Sequence, residues 1–247
     1  MTSFPLRIEE VDGRMVTFAE THSHLMESFR AFLKDLEDPA ATVLDVGTGT
    51  GRVALLVAPH VARVLAADRD EQALRVAYGA AKSFNVQNVQ FFATDLDSEP
   101  WSEWAPAAVD AVLTHLSFTD KMASQAYDRL KPGGAFVVAC FGPDQWRETG
   151  RVSRYVRTPE DVKMRLESAG FEVTEVLVEK LVASFSNFDQ VRDSFFGPGH
   201  PVAEAWARDG RWTALEEHFR RGGNTFTESR VVARAYKPGG GPRSRVR

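Results

Sequence analysis

Three glycines at alternate positions, Gly47, Gly49 and Gly51, punctuate the run Leu44-Asp-Val-Gly-Thr-Gly-Thr-Gly-Arg52. An apolar stretch that reads as a strand precedes them, and one that reads as a helix follows. Backbone amides at the start of a helix point outward and can hold an anionic or polar ligand. Glycine lets the chain turn sharply there and leaves bare backbone for the ligand to lie against. Two acids occupy matching places further on. Asp68 ends the second strand, where a carboxylate can accept both hydroxyls of a ribose. Asp95 follows the third strand in Ala93-Thr-Asp-Leu96. A short acid there can accept from an exocyclic amine, and Leu96 can pack on a purine face. Each acid alone also reads as a cap or turn residue. At three successive strand ends together, they fit an adenosine with a polar tail.

Two other nucleotide motifs fail on the same residues. A dinucleotide loop, G-x-G-x-x-G/A, needs a small last residue for helix–strand packing. Counting from Gly47, that place holds Arg52. A phosphate loop of the Walker type needs Gly-Lys-Ser/Thr after its glycines, and none follows.

The elements that must position these groups alternate between strand and helix, which argues for a parallel sheet covered on both faces. Strands are expected at Thr42–Val46, Val61–Ala67, Val89–Ala93, Val109–Thr114, Ala135–Phe141, Phe171–Val178 and Phe226–Tyr236. Helices are expected over Arg52–Ala58, from Asp70 to about Phe84, over Asp120–Leu130, and from Thr158-Pro159 to Gly170. Asp70 is placed to cap the second of these. Lys131-Pro-Gly-Gly134 reads as a turn. Glu20–Leu36 reads as a helix with Leu25, Phe29, Phe32, Leu33 and Leu36 on one side. Between residues 184 and 224 the chain carries Phe185, Phe188, Phe195, Phe196, Trp206, Trp212 and Phe219, and reads as a helical insertion. The expected class is α/β: a doubly wound, mostly parallel seven-stranded sheet of Rossmann-like type. A single domain over 1–237 is expected, with a helical cap at 1–40, the insertion at 184–224, and a disordered tail at 238–247 rich in Pro, Gly and Arg.

Val43 to Ala58, with Asp68, Asp95 and Arg129-Leu-Lys-Pro-Gly-Gly134, resembles the class I methyltransferases that use S-adenosyl-L-methionine. Within them it is most similar to the small-molecule group that includes the ubiquinone and menaquinone C-methyltransferases. The resemblance covers roughly residues 40–180. It implies a seventh strand antiparallel to the rest, and S-adenosyl-L-homocysteine as the cofactor product. It implies that Asp45 and the backbone of Gly47, Thr48, Gly49 and Gly51 hold the methionine end of the cofactor. By the same matching, Asp68 holds the ribose, Arg69 lies by the adenosine, and Asp95 with Leu96 holds the adenine. Thr114 and His115 match the lining of the methyl-transfer site.

Methyl transfer from a sulfonium is an in-line displacement, so a protein contributes alignment and exclusion of water. A general base is needed only where the acceptor must lose a proton. Histidines titrate near neutrality and are the candidates. His115, at the end of the fourth strand, is the best placed. His22 and His24 lie on the N-terminal helix, where only one can face inward at a time. His22 is taken as the second candidate. His60, His200 and His218 read as surface residues, and His115 also reads as a packing residue.

The acceptor is expected to be a small, apolar or aromatic molecule, methylated on O, N or C. Thr114-His-Leu-Ser-Phe118 stands where an Asn-Pro-Pro-Tyr run would mark methylation of a nucleobase amine. The lone Cys140 excludes a thiol-rich site, and no metal cluster is visible. A net charge of −4 argues against a nucleic-acid partner. No apolar run reaches the ~18 residues of a membrane span, and no signal-peptide core precedes the sheet, so a soluble cytoplasmic protein is expected. Two rivals stay open: a non-catalytic cofactor-binding sensor or scaffold, and an RNA or protein methyltransferase. The oligomeric state is open, with a homodimer among the alternatives.

Overall fold

The computed structural model describes residues 8–11, 14–17, 27–195 and 201–239, with side chains for 27–192 and 204–239. These residues fall into two compact units. The first comprises the chain as far as Ala139, Glu160–Leu177, and the chain from Val232 on. The second comprises Cys140–Pro159 and Val178–Val231.

Among the described residues the first element is a hairpin, β1 (Ile8–Val11) and β2 (Arg14–Thr17), paired antiparallel. The sequence reading had only helix in this region. Helix α1 (Glu27–Lys34) follows and buries Phe29, Phe32 and Leu33, the side read as apolar. Then come β3 (Asp38–Val46), α2 (Arg52–Val57), β4 (Val61–Asp68), α3 (Glu71–Ser83), β5 (Val89–Ala93), β6 (Val109–His115), α4 (Asp120–Arg129) and β7 (Leu130–Phe141). Helix α5 (Pro159–Ser168), β8 (Glu172–Ser184), α6 (Phe188–Phe195), α7 (Pro201–Asp209), α8 (Arg211–Arg220) and β9 (Thr225–Tyr236) complete the chain. One seven-stranded, mostly parallel sheet runs in the order β5-β4-β3-β6-β7-β9-β8.

Local chemistry explains the boundaries. The Asp70 side chain accepts from the amides of Gln72 (2.9 Å) and Ala73 (3.0 Å), which starts α3 where expected. The Thr119 hydroxyl accepts from Met122 N and starts α4. On one face of the sheet, Val43, Val64, Ala66, Ala111, Leu113, Ala135 and Val137 form one apolar core with Phe29, Phe32, Val53 and Val57, and Leu44, Leu65, Val112 and Phe136 are buried on the other. Strands apolar on both faces are what a parallel sheet buried on both sides requires.

The expected turn at Lys131–Gly134 is instead the bulged opening of β7. Val109 pairs with Leu130 and Ala111 with Ala135, so the extra residues of β7 loop out within the strand. Gly133 N donates to Lys237 O (2.8 Å), and Lys237 N donates to Gly134 O (3.0 Å). A partner a hundred residues away thus satisfies the amides that an isolated turn would leave to water. Strand β8 also runs six residues beyond its expected end at Val178.

The second unit has its own core. Trp206, Phe226, Val191 and Leu215 are fully buried there, with Trp146 beside them and Phe188, Trp212 and Phe219 packed around. Trp206 meets Trp146 edge-on at 4.9 Å and Trp212 at 5.1 Å. The insertion is helical, and these aromatic residues fill its core.

Candidate functional site

Strands β3, β4 and β5 lie side by side, and register brings their ends level. Asp45 sits opposite Ala66, and Asp68 opposite Ala93. The loop leaving β3 is held down from beneath. Gly47 N and Thr48 N both donate to Ala67 O (2.8 and 3.1 Å), and Gly51 N donates to Thr48 O (3.0 Å). Gly47, Gly49 and Gly51 all have positive φ, at 75°, 54° and 81°. That region costs other residues strain.

The three glycines differ in what surrounds them. A side chain at Gly47 would collide with Ser117, and one at Gly51 would meet Ala77 Cβ at 2.8 Å. A side chain at Gly49 would meet nothing within 4 Å. The outer two are therefore glycine for packing. Of the three, Gly49 alone faces open space.

Asp45 is buried under this loop. Its carboxylate accepts from the Thr48 hydroxyl (2.6 Å) and from Ala54 N (2.9 Å), the first turn of α2. Burial pushes its pKa up to about 7, against the lowering by those two donors, and the nearby Asp68 charge adds to the rise. Asp45 thus shapes the loop from within, where the resemblance implied contact with the cofactor's methionine end. Asp68 spans the gap outside. Its Oδ2 accepts from Gly49 N (2.8 Å) and its Oδ1 from Asp70 N (3.0 Å). A carboxylate has about four acceptor positions, so each oxygen keeps one for a ligand hydroxyl.

Asp95, just past β5, accepts from Asp97 N (3.0 Å). That bond holds its carboxyl below the usual range, with Ser98 and the charge of Arg69 adding to the effect. Arg69 is exposed and lies near Asp95, between two of the expected site residues. Leu96 is buried, and its carbonyl accepts from Trp101 Nε1 (3.2 Å) and Gln125 Nε2 (3.0 Å). At the end of β6, the Thr114 hydroxyl is fully buried and has no hydrogen-bond partner. His115 follows it, half-buried, with its ring 5.2 Å from that of Phe29. His22 and His24 lie outside the described residues, as does the tail from residue 240. Among the described residues, no group of His, Cys, Asp and Glu is arranged to hold a metal ion.

Sequence reading missed two positions. Ser117 backs onto Gly47, and Leu116 before it takes a left-handed backbone (φ 70°) while its amide donates to Ala139 O (2.7 Å). No periodicity or motif marks either residue, since both are fixed by strands distant in sequence.

A family model for the methyltransferase domain matches residues 37–181. The chain belongs to the methyltransferase-domain family. The chain is 37% identical over 93 residues to the ribosomal protein L11 methyltransferase of Thermoanaerobacter pseudethanolicus, covering 37% of this chain and 30% of that one. It spans less than a third of the length of the curated relatives it matches. In fold it is similar to the YcgJ protein of Bacillus subtilis, with a TM-score of 0.65 and 17% identity, covering 86% of this chain and 99% of that one. It is also similar to phosphoethanolamine N-methyltransferase 2 of Haemonchus contortus, solved with phosphomonomethylethanolamine and S-adenosylhomocysteine. There the TM-score is 0.57 and identity 19%, over 86% of this chain and 52% of that one.

The Haemonchus contortus enzyme has also been solved with S-adenosyl-L-methionine, and the residues present in this chain fit that group. Gly49 offers bare backbone beside open space, Asp68 keeps spare acceptor positions next to it, and Thr114 holds an unpartnered hydroxyl at the neighbouring strand end.

Proposed function

We propose that this chain transfers a methyl group from S-adenosylmethionine to O, N or C of a small, apolar or aromatic molecule. The observation that carries the reading is the Gly49–Asp68 hydrogen bond beside the open face of the loop. It joins the first two strand ends into one receptacle for a group with both a polar tail and vicinal hydroxyls.

The residue roles follow from this placement. The open backbone face at Gly49 would lie against the methionine end, and Asp68 would hold the ribose. Asp95 would accept from the adenine amine, with Leu96 against the ring and Arg69 at its edge. When bound, the donor supplies an electrophilic methyl on a sulfonium, so the protein need not activate it. The chain's own contribution is orientation. Asp45 fixes the loop from below, and Thr114 and His115 border the place where the acceptor would lie. His115 would take the proton from an oxygen or nitrogen acceptor. A ring of the quinone-precursor kind, the acceptor type of the group the sequence resembles, is the first candidate.

A protein acceptor is the second reading, favoured by the name of the L11 relative. Calorimetry with S-adenosylhomocysteine, followed by methyl-transfer assays over small aromatic acceptors and L11, separates the readings. Transfer to a small aromatic supports the proposal. Transfer only to L11 replaces it, and binding without transfer to anything leaves a sensor or scaffold.

A further inference from the structure

The loop beyond β5, residues 95–101, carries both side chains assigned to the adenine, and a side chain from another element sets its shape. Gln125, on α4, meets the loop with both ends of its amide. Its Oε1 accepts from Trp101 N (2.8 Å), and its Nε2 donates to Leu96 O (3.0 Å) and Glu99 O (3.2 Å). The same helix makes a second tie. Thr119, which caps α4, donates from its hydroxyl to Asp97 Oδ1 (2.6 Å), and Asp97 N donates to Asp95 Oδ1 (3.0 Å). Helix α4 is itself anchored, with Met122, Ala123 and Ala126 buried.

The loop's own turn bonds stop short of this. Ser98 N and Glu99 N donate to Asp95 O (3.2 and 2.9 Å), which closes its first half. Leu96 O and Trp101 N, at its two ends, are met by Gln125. Trp101, almost fully buried, adds a bond from its ring N–H to Leu96 O (3.2 Å). Only a side-chain amide brings an acceptor and two N–H donors on one planar tip. Glutamate could not donate, and an apolar residue could do neither.

Placement of this loop bears on which base is accepted. A carboxylate beside carbon 6 of a purine accepts from a 6-amino group and repels a 6-oxo group. Discrimination of that kind needs the acceptor held in place, which is what bonds from a packed helix supply.

We propose that Gln125 is a positioning residue for base recognition. By fixing the backbone of residues 96–101, it places Asp95 and Leu96 to take a 6-amino purine and reject a 6-oxo purine. The inference rests on the assignment of Asp95 and Leu96 to the adenine.

Calorimetry on the full chain compares S-adenosylhomocysteine with S-inosylhomocysteine, its 6-oxo counterpart. The wild-type chain is expected to prefer the adenosyl compound by about tenfold or more. Gln125→Met keeps the length and removes all three bonds. Gln125→Glu keeps the acceptor for Trp101 N and loses both Nε2 donations, so a second folded variant reads the same effect. Each is expected to shrink the preference by about threefold or more. Weaker binding of both compounds with the preference unchanged, or a lower Tm alone, overturns the role of Gln125 and makes it a support of the fold. Asp95→Ala reads the underlying assignment separately and is expected to abolish the preference. A preference that survives Asp95→Ala, or one that the wild-type chain lacks, overturns the adenine assignment and the proposal with it.

Discussion

The amide of Gly49 donates to the carboxylate of Asp68 across 2.8 Å, tying the loop after β3 to the end of β4. One oxygen thereby fixes the loop while retaining a lone pair on its outer side. Asp68→Ala removes the brace and the proposed ribose acceptor together. It is expected to weaken S-adenosylhomocysteine binding by about 1–3 kcal/mol, the usual range for a lost charged hydrogen bond. Calorimetry checks this, and unchanged affinity would remove Asp68 from the site.

Substitutions at the glycines should separate folding from binding. Gly49→Ala has room for its methyl and is expected to fold, with about 1–2 kcal/mol of strain from the left-handed backbone. Its methyl would occupy the face where the donor should lie, so binding is expected to fall by tenfold or more. Gly47→Ala meets Ser117 and Gly51→Ala meets Ala77, so both are expected to lose stability first. Thermal melts beside calorimetry read the two effects apart. Equal loss of stability at all three positions would contradict the open face at Gly49.

Asp45 gives a pH signature of stability. Burial raises its pKa from 3.8 to about 7 in the fold. The folded chain therefore holds a proton that the unfolded chain has released between these values. The contribution is fully present below about pH 4 and is lost as pH rises through about 7. The slope from one such proton is at most about 1.4 kcal/mol per pH unit. Asp45→Asn keeps an acceptor for Thr48 or Ala54 and cannot ionise, so its urea midpoint should change less between pH 5 and pH 8. A parallel pH dependence in wild type and variant would show that Asp45 is not the responsible group.

Much of this arrangement is legible in the chain because it rests on local chemistry. The glycine spacing, the capping Asp70 and the apolar runs of β3 to β6 each act over a few residues. The β7 opening was not, because Gly133 and Gly134 bond to Lys237 and turn propensity yields to a strand partner. Ser117 beneath Gly47 was illegible for the same reason. Nothing in the sequence sets Arg230 apart from other strand residues, and only its burial beside Gln145 distinguishes it.

The aromatic core of the second unit makes a direct stability claim. Trp206 is fully buried and contacts Trp146, Trp212 and Phe226. Trp206→Ala is expected to cost about 3–5 kcal/mol, the range for a large buried aromatic. Denaturant titration measures it. A cost below about 1 kcal/mol would mean that the side chain lines open space.

His115 offers the sharpest test of catalytic chemistry. It follows the unpartnered Thr114 hydroxyl at the end of β6 and packs against Phe29. A base there matters only while a proton leaves the acceptor. With an oxygen or nitrogen acceptor, His115→Gln is expected to lower kcat by about 10²-fold or more, within the usual range for a general base. The acidic limb of the pH–rate profile should vanish with it, since an amide does not titrate. Affinity for S-adenosylhomocysteine should hold, because no cofactor contact is assigned to this ring. A lower Tm with an unchanged pH profile would instead assign His115 to packing on Phe29, and the transfer would then run on alignment alone.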